Sequence, residues 1–127
     1  MLFRSPSTTT IAFTSNQTQN VLSVSLGAGD WDVRGMVTWL LSSMPANTSL
    51  NAIANLSGTT GVLPDDGYES FAIEITGSSV VSFYMSCPLP THRFNLSAAQ
   101  SVYLVGTAPI FASGSAKAFG YIEARLQ

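Results

Sequence analysis

Apolar and polar side chains alternate along this chain with a period of two, in short segments at regular intervals. That period puts successive residues on opposite faces of a β-strand. Within residues 20–26, Leu22, Val24 and Leu26 share one face and Ser23 and Ser25 the other. Gly27-Ala28-Gly29-Asp30 then breaks the segment with turn-forming residues. Within residues 31–41 the odd positions Trp31, Val33, Gly35, Val37, Trp39 and Leu41 make an apolar face, with Asp32, Arg34 and Thr38 opposite. This is the clearest strand in the chain, and its two indoles are expected to anchor a core. Phe71, Ile73 and Ile75 alternate with Ala72 and Glu74, and Thr76-Gly77-Ser78-Ser79 is expected to turn that strand into a hairpin partner at residues 80–86. Pro88-Leu89-Pro90 ends the partner, because proline cannot donate to a ladder.

Residues 93–96, 102–105, 109–111 and 118–126 are also strand-like, and Gly114-Ser115-Ala116-Lys117 links the last two. In 118–126 the face made by Ala118, Gly120, Ile122, Ala124 and Leu126 is small and apolar, while Phe119, Tyr121, Glu123 and Arg125 hold the other, so both faces have something to contact. Residues 42–56 fit a short helix as well as a strand, and residues 57–69, with Gly58, Gly61, Pro64 and Asp65-Asp66-Gly67, read as a long exposed loop. About eight strands, no long helix and no internal repeat predict one all-β domain over residues 1–127, an antiparallel β-sandwich or jelly roll.

Composition narrows the function classes. Five basic and seven acidic residues make 9% of the chain, far below the roughly one quarter of an average soluble domain, while 46% is hydrophobic. So sparsely charged a surface is poorly solvated, and some of it is expected to lie against copies of the chain or a larger assembly. Ser, Thr or Gly interrupts every apolar run before the ~18 residues of a membrane helix, so no membrane partner is expected. Arg4, Arg34, Arg93, Lys117 and Arg125 are scattered along the sequence, which argues against nucleic acid. Residues 1–10 hold Arg4 with no apolar segment of signal-peptide length behind it, so the chain is expected to act where it is made or in a particle assembled there. Nearly a quarter of positions are Ser or Thr, so chance explains the Asn-x-Ser/Thr triplets at Asn16, Asn47, Asn55 and Asn95.

The inventory for catalysis is thin. His92 is the single imidazole, follows two prolines, sits beside Arg93 and has no nucleophile-elbow motif to serve; it is expected to be a surface or rim residue. Cys87, in an apolar stretch, is expected to be buried as a small hydrophobe. Asp30 and Asp32 straddle Trp31 on one strand face, whereas Asp65, Asp66 and Glu69 offer oxygens without the spacing of a calcium loop. No enzyme activity, cofactor or metal is therefore expected. Tyr68, in the acidic loop, is the one aromatic outside a regular strand position that could contact a sugar, with Asp65 and Asp66 as neighbours.

Two segments resemble a known group. Leu26-Gly27-Ala28-Gly29-Asp30-Trp31-Asp32-Val33-Arg34-Gly35, and Ser101-Val102-Tyr103-Leu104-Val105-Gly106 followed by Ala118-Phe119-Gly120-Tyr121-Ile122-Glu123-Ala124-Arg125, are similar to the opening and closing strands of small C-terminal domains in tailed-phage fibre and head-accessory proteins. The end Arg125-Leu126-Gln127 departs from that group's doubly basic terminus. The resemblance implies a TNF/C1q-like jelly roll that forms a homotrimer. With no shaft preceding it, a module of this size is expected to be a decoration or cement protein on the outside of a phage head, its partner the major capsid protein. Tyr103, Phe119 and Tyr121, outward on late strands, are the candidate trimer contacts. The alternative role is a receptor- or carbohydrate-binding tip of a phage fibre, with Asp65, Asp66 and Tyr68 as its contacts.

Overall fold

A computed structural model of the chain describes residues 2–46, 48–64, 69–75 and 81–127. Its strands are β1 (Leu2–Phe13), β2 (Thr18–Leu26), β3 (Gly29–Met44), β4 (Thr48–Ser57), β5 (Glu69–Ile75), β6 (Val81–Pro88), β7 (His92–Leu96), β8 (Gln100–Thr107) and β9 (Ser115–Leu126). One sheet runs β1-β9-β3-β6, with β7 also paired to β3, and the other runs β2-β8-β4-β5; every pairing is antiparallel. The pairs nest: β4 with β5, β3 with β6 and β7, β2 with β8, β1 with β9. A long hairpin ribbon wound so that β9 also meets β3 and β8 meets β4 is a jelly roll.

The two sheets bury the faces that alternation predicted. Trp31, Val33, Val37, Trp39 and Leu41 of β3 meet Leu50, Ala52, Ala54 and Leu56 of β4 and Val102 and Leu104 of β8 in one core. The large indoles of β3 require small neighbours. Trp39 pairs with Ala118 of β9, packs edge-on against Phe13 with ring centroids 4.8 Å apart, and reaches the backbone of Gly106, where a Cβ would lie 2.9 Å from its ring. Trp31 donates from Nε1 to the Gly27 carbonyl at 3.0 Å, which satisfies its polar edge and holds the β2–β3 turn.

Several expectations are corrected. Residues 71–75 and 80–86 do not form a hairpin: β5 pairs with β4 and β6 with β3, so they belong to different sheets. Residues 109–111 are not a strand; their backbone instead ties to the turn before β2, Asn16 N donating to Pro109 O at 3.1 Å and Phe111 N to Ser15 Oγ at 2.9 Å. Residues 115–117 belong to β9 rather than to a linker. Within residues 42–56, residues 42–44 end β3 and residues 48–56 lie in β4, so the described elements here are strands. β1 went unseen because its polar run Arg4–Thr10 has no apolar period, while an edge strand needs only one ladder and tolerates Pro6. The loop after β4 is partly structural: Asn20 Nδ2 donates to Thr60 Oγ1 at 2.6 Å, and Gly61 N donates to Asn20 Oδ1 at 2.7 Å. Asn20 is the cross-strand neighbour of Val105, which together with its own partner Asn55 faces outward and is fully buried.

Pro88-Leu89-Pro90 interrupts what would otherwise be one strand beside β3. Leu89 N still donates to Gly35 O at 2.8 Å, so β6 and β7 stay in line along β3. Cys87, at the end of β6, is buried opposite Val37 with 4% exposure, and burial pushes its thiol up. Native protein is therefore expected to leave a disulfide-exchange reagent unreacted and to release one thiol equivalent only in denaturant; a fast native reaction would contradict this placement.

Candidate functional site

The outer face of the β1-β9-β3-β6 sheet divides into two halves. In one, β3 places Met36, Thr38 and Leu40 outward; β9 answers with Tyr121 beside Met36 and Phe119 beside Thr38, and β6 with Ser86 beside Thr38 and Tyr84 beside Leu40. Thr38 Oγ1 and Ser86 Oγ hydrogen-bond at 2.9 Å, so the polar groups within this half satisfy each other. Tyr84 is 74% exposed, an unusual position for a large ring on a regular strand. None of these seven side chains is charged, and Lys117, beside Leu40, lies at the margin.

The other half carries charge of both signs. β3 contributes Asp30, Asp32 and Arg34, β9 contributes Glu123 and Arg125, and β7 contributes Arg93. Arg34 Nε donates to Glu123 Oε1 at 2.8 Å and a second guanidinium nitrogen bonds the same oxygen; Arg93 grips both oxygens of Asp30, with Nε at 2.9 Å. Register places Asp32 between Arg93 and Arg125, and places Arg4 of β1 opposite Glu123. Leu2, Asp32, Arg34, Thr91, Glu123 and Arg125 line a shallow groove of about 580 Å³ here. Arg34, Arg93 and Arg125, scattered in the sequence, thus converge at one end of one sheet. Antiparallel pairing of strands distant in the chain brings them together, which no local sequence signal announces.

The hydrogen bonds from Arg93 hold the Asp30 carboxyl below the ordinary carboxylate range, against a smaller opposing effect of desolvation. Because the folded value is depressed, the stabilisation is present above the unfolded value of about 3.9 and is lost as pH falls through the folded value. Asp30 is expected to titrate below that value by NMR and to return to it in Arg93→Ala. An unchanged titration in the variant would show that the pair does not form.

Phe119 and Tyr121 come together in the uncharged half. Tyr103 does not join them: it is outward on β8, in the other sheet, and the two outer faces of a sandwich point in opposite directions. Asp65, Asp66 and Tyr68 lie outside the described residues. Among the described residues no three His, Cys, Asp or Glu side chains converge as metal ligands, and Asp30 is occupied by Arg93. His92 faces inward at the rim, half-buried opposite Val33, its ring 6.4 Å from that of Phe94.

No protein family matches the chain, and no curated protein matches it. Among solved structures it is similar to the infectious bursal disease virus VP2 subviral particle, at 11% identity and a TM-score of 0.49 over 100% of this chain and 32% of that one. The Gx strain of the same virus gives 11% identity and a TM-score of 0.48 over 98% and 31%, and the Gt strain 10% and 0.48 over 98% and 32%. The chain spans about a third of the length of these chains.

Proposed function

We propose that this protein is a structural subunit of a virus particle that associates with copies of itself through the uncharged half of the outer β1-β9-β3-β6 face. The observation that carries the reading is the outward cluster of Met36, Leu40, Tyr84, Phe119 and Tyr121, which exposes apolar area on a strand face that needs none of it for the core. The low charge of the whole chain supports the same reading, since an isolated small domain gains solubility from charge. In its finer form the subunit is a homotrimeric decoration or cement protein on the head of a tailed phage, bound to the major capsid protein. The resemblance of residues 26–35, 101–106 and 118–125 to phage accessory domains supports that form, with Phe119 and Tyr121 in the contact and Tyr103 outside it. A trimer that binds assembled lattice and not free capsid subunits would stabilise the particle by mass action.

Native mass by light scattering or native mass spectrometry is the test. A mass near three times 13.4 kDa is expected, followed by binding of the trimer to purified phage heads. A monomer at every concentration would overturn the self-association reading, and adhesion to host cells without adhesion to heads would overturn the decoration role.

A further inference from the structure

The uncharged half ends at β6, whose far edge has no partner strand among the described residues. One hydrogen bond fixes which main-chain groups face that edge. Leu89 N donates to Gly35 O at 2.8 Å, so this pair occupies a bonding position. Bonding and non-bonding positions alternate along an antiparallel ladder. Cys87, Met85 and Phe83, opposite Val37, Trp39 and Leu41, therefore bond to β3. Ser86, Tyr84 and Ser82 turn their N–H and C=O groups the other way, out of the sheet. Pro88, the next residue in that series, has no N–H to offer.

The neighbouring side chains leave this array uncovered. Ser86 Oγ is bonded to Thr38 Oγ1 at 2.9 Å and Ser82 Oγ accepts from Ser43 N at 2.9 Å, so both hydroxyls are held back over β3. On the inward face Phe83 and Met85 are only half-buried, with no described strand beyond them. The other edge strands carry the devices that discourage pairing in soluble proteins. β1 has Pro6 and a register shift between Ser7 and Ile11, and β2 has a shift between Asn20 and Leu22. β5 has the exposed Glu74, and β7 is a five-residue strand with the exposed Arg93. Residues 81–87 hold neither a charge nor a proline.

Donors and acceptors on three alternate residues are the complement of another extended strand, and a two-fold axis makes such a strand its own complement. On the reading that the chain self-associates, we infer that β6 pairs antiparallel with β6 of a second copy, with Tyr84 opposite the partner's Tyr84 and Ser82 opposite the partner's Ser86. This register pairs every outward main-chain group of Ser82, Tyr84 and Ser86, two bonds for each of three residue pairs, whereas a shifted one leaves some of them bare. It sets Phe83 against the partner's Met85 on the inward side and joins the two Tyr84 rings on the outer face. Face-on contact alone falls short: with strands about 4.8 Å and residues about 3.4 Å apart, the uncharged half covers roughly 225 Å², against about 800 Å² per partner in a stable contact. Edge pairing adds main-chain bonds without stripping water from the ion pairs of the charged half. It makes two copies alone, and six where the face also forms a trimer.

The test is amide exchange by NMR over a dilution series whose mass is followed by light scattering. The Ser82, Tyr84 and Ser86 amides are expected to exchange at least about tenfold more slowly in the assembly than in the dilute chain, while Phe83, Met85 and Cys87, bonded to β3 in both, stay slow throughout. Ser86→Pro deletes one edge donor and spares the ladder to β3; it is expected to weaken association about tenfold or more. Ser86→Ala loses the same hydroxyl, keeps the N–H, and is expected to weaken association less than about threefold. An assembly whose Ser82, Tyr84 and Ser86 amides exchange as fast as in the dilute chain would overturn the edge contact and leave self-association standing, as would a folded Ser86→Pro that associates as well as Ser86→Ala. A wild-type monomer at every concentration would overturn both, and slow exchange of those three amides within it would show that another segment of the same chain holds the edge.

Discussion

Gly120→Ala is expected to destabilise the domain by about 3 kcal/mol or more, a drop of roughly 10 °C in Tm, measured by circular dichroism. Gly120 lies on β9 opposite Val37 of β3, and a Cβ there would sit 2.1 Å from the Met36 carbonyl oxygen and 2.8 Å from Leu104 Cδ2. The carbonyl belongs to the central ladder of the sheet, so it can retreat only by weakening β3–β9 pairing across the middle of the molecule. Leu104 is fully buried and has no free volume to move into. With total stability of roughly 5–15 kcal/mol for a domain, a loss of this size is a large share. Gly27→Ala is the control: nothing lies within 4 Å of its added Cβ, and a change within about 0.5 kcal/mol is expected. Equal melting of the two variants would refute the close approach of β3 and β9.

Much of the fold was legible because alternation is a local property. The inward face of β3 from Trp31 to Leu41 and the small inward face of β9 followed directly from period two, and both line the core. Which strand pairs with which was not legible in the same way. β5 and β6 are neighbours in sequence with turn residues between them, the ordinary mark of a hairpin, yet a jelly roll sends them to separate sheets because β4 and β3 are their partners. The small residues of β9 were visible as a pattern, but their cause, the bulk of Trp39 on the adjacent strand, depends on register. For the same reason the outward placement of Phe119, Tyr121 and Tyr103 could be foreseen, whereas the separation of Tyr103 onto the opposite face could not. The arginine end is the extreme case: Arg34, Arg93 and Arg125 converge only through two different strand pairings.

Tyr84→Glu is expected to dissociate the assembly while leaving each subunit folded. At 74% exposure the ring contributes little to the core of its own subunit, so the melting of the dissociated chain should change by no more than about 0.5 kcal/mol. Association is another matter. A carboxylate at Tyr84 would stand beside Leu40 and near Thr38 and Phe119, with no basic residue directly opposite it on β3, and closing the contact would strip its water without supplying a partner. A cost of about 3 kcal/mol raises the dissociation constant roughly a hundredfold, which sedimentation or mass photometry over a dilution series resolves. Tyr103→Glu supplies the opposite arm, because its ring stands outward on the other sheet and its loss should leave the mass unchanged. If Tyr103→Glu dissociated the assembly and Tyr84→Glu did not, the contact would lie on the β2-β8-β4-β5 face. A double variant at Tyr84 and Phe119 that still assembled would show that the charged end holds the copies together without the apolar half.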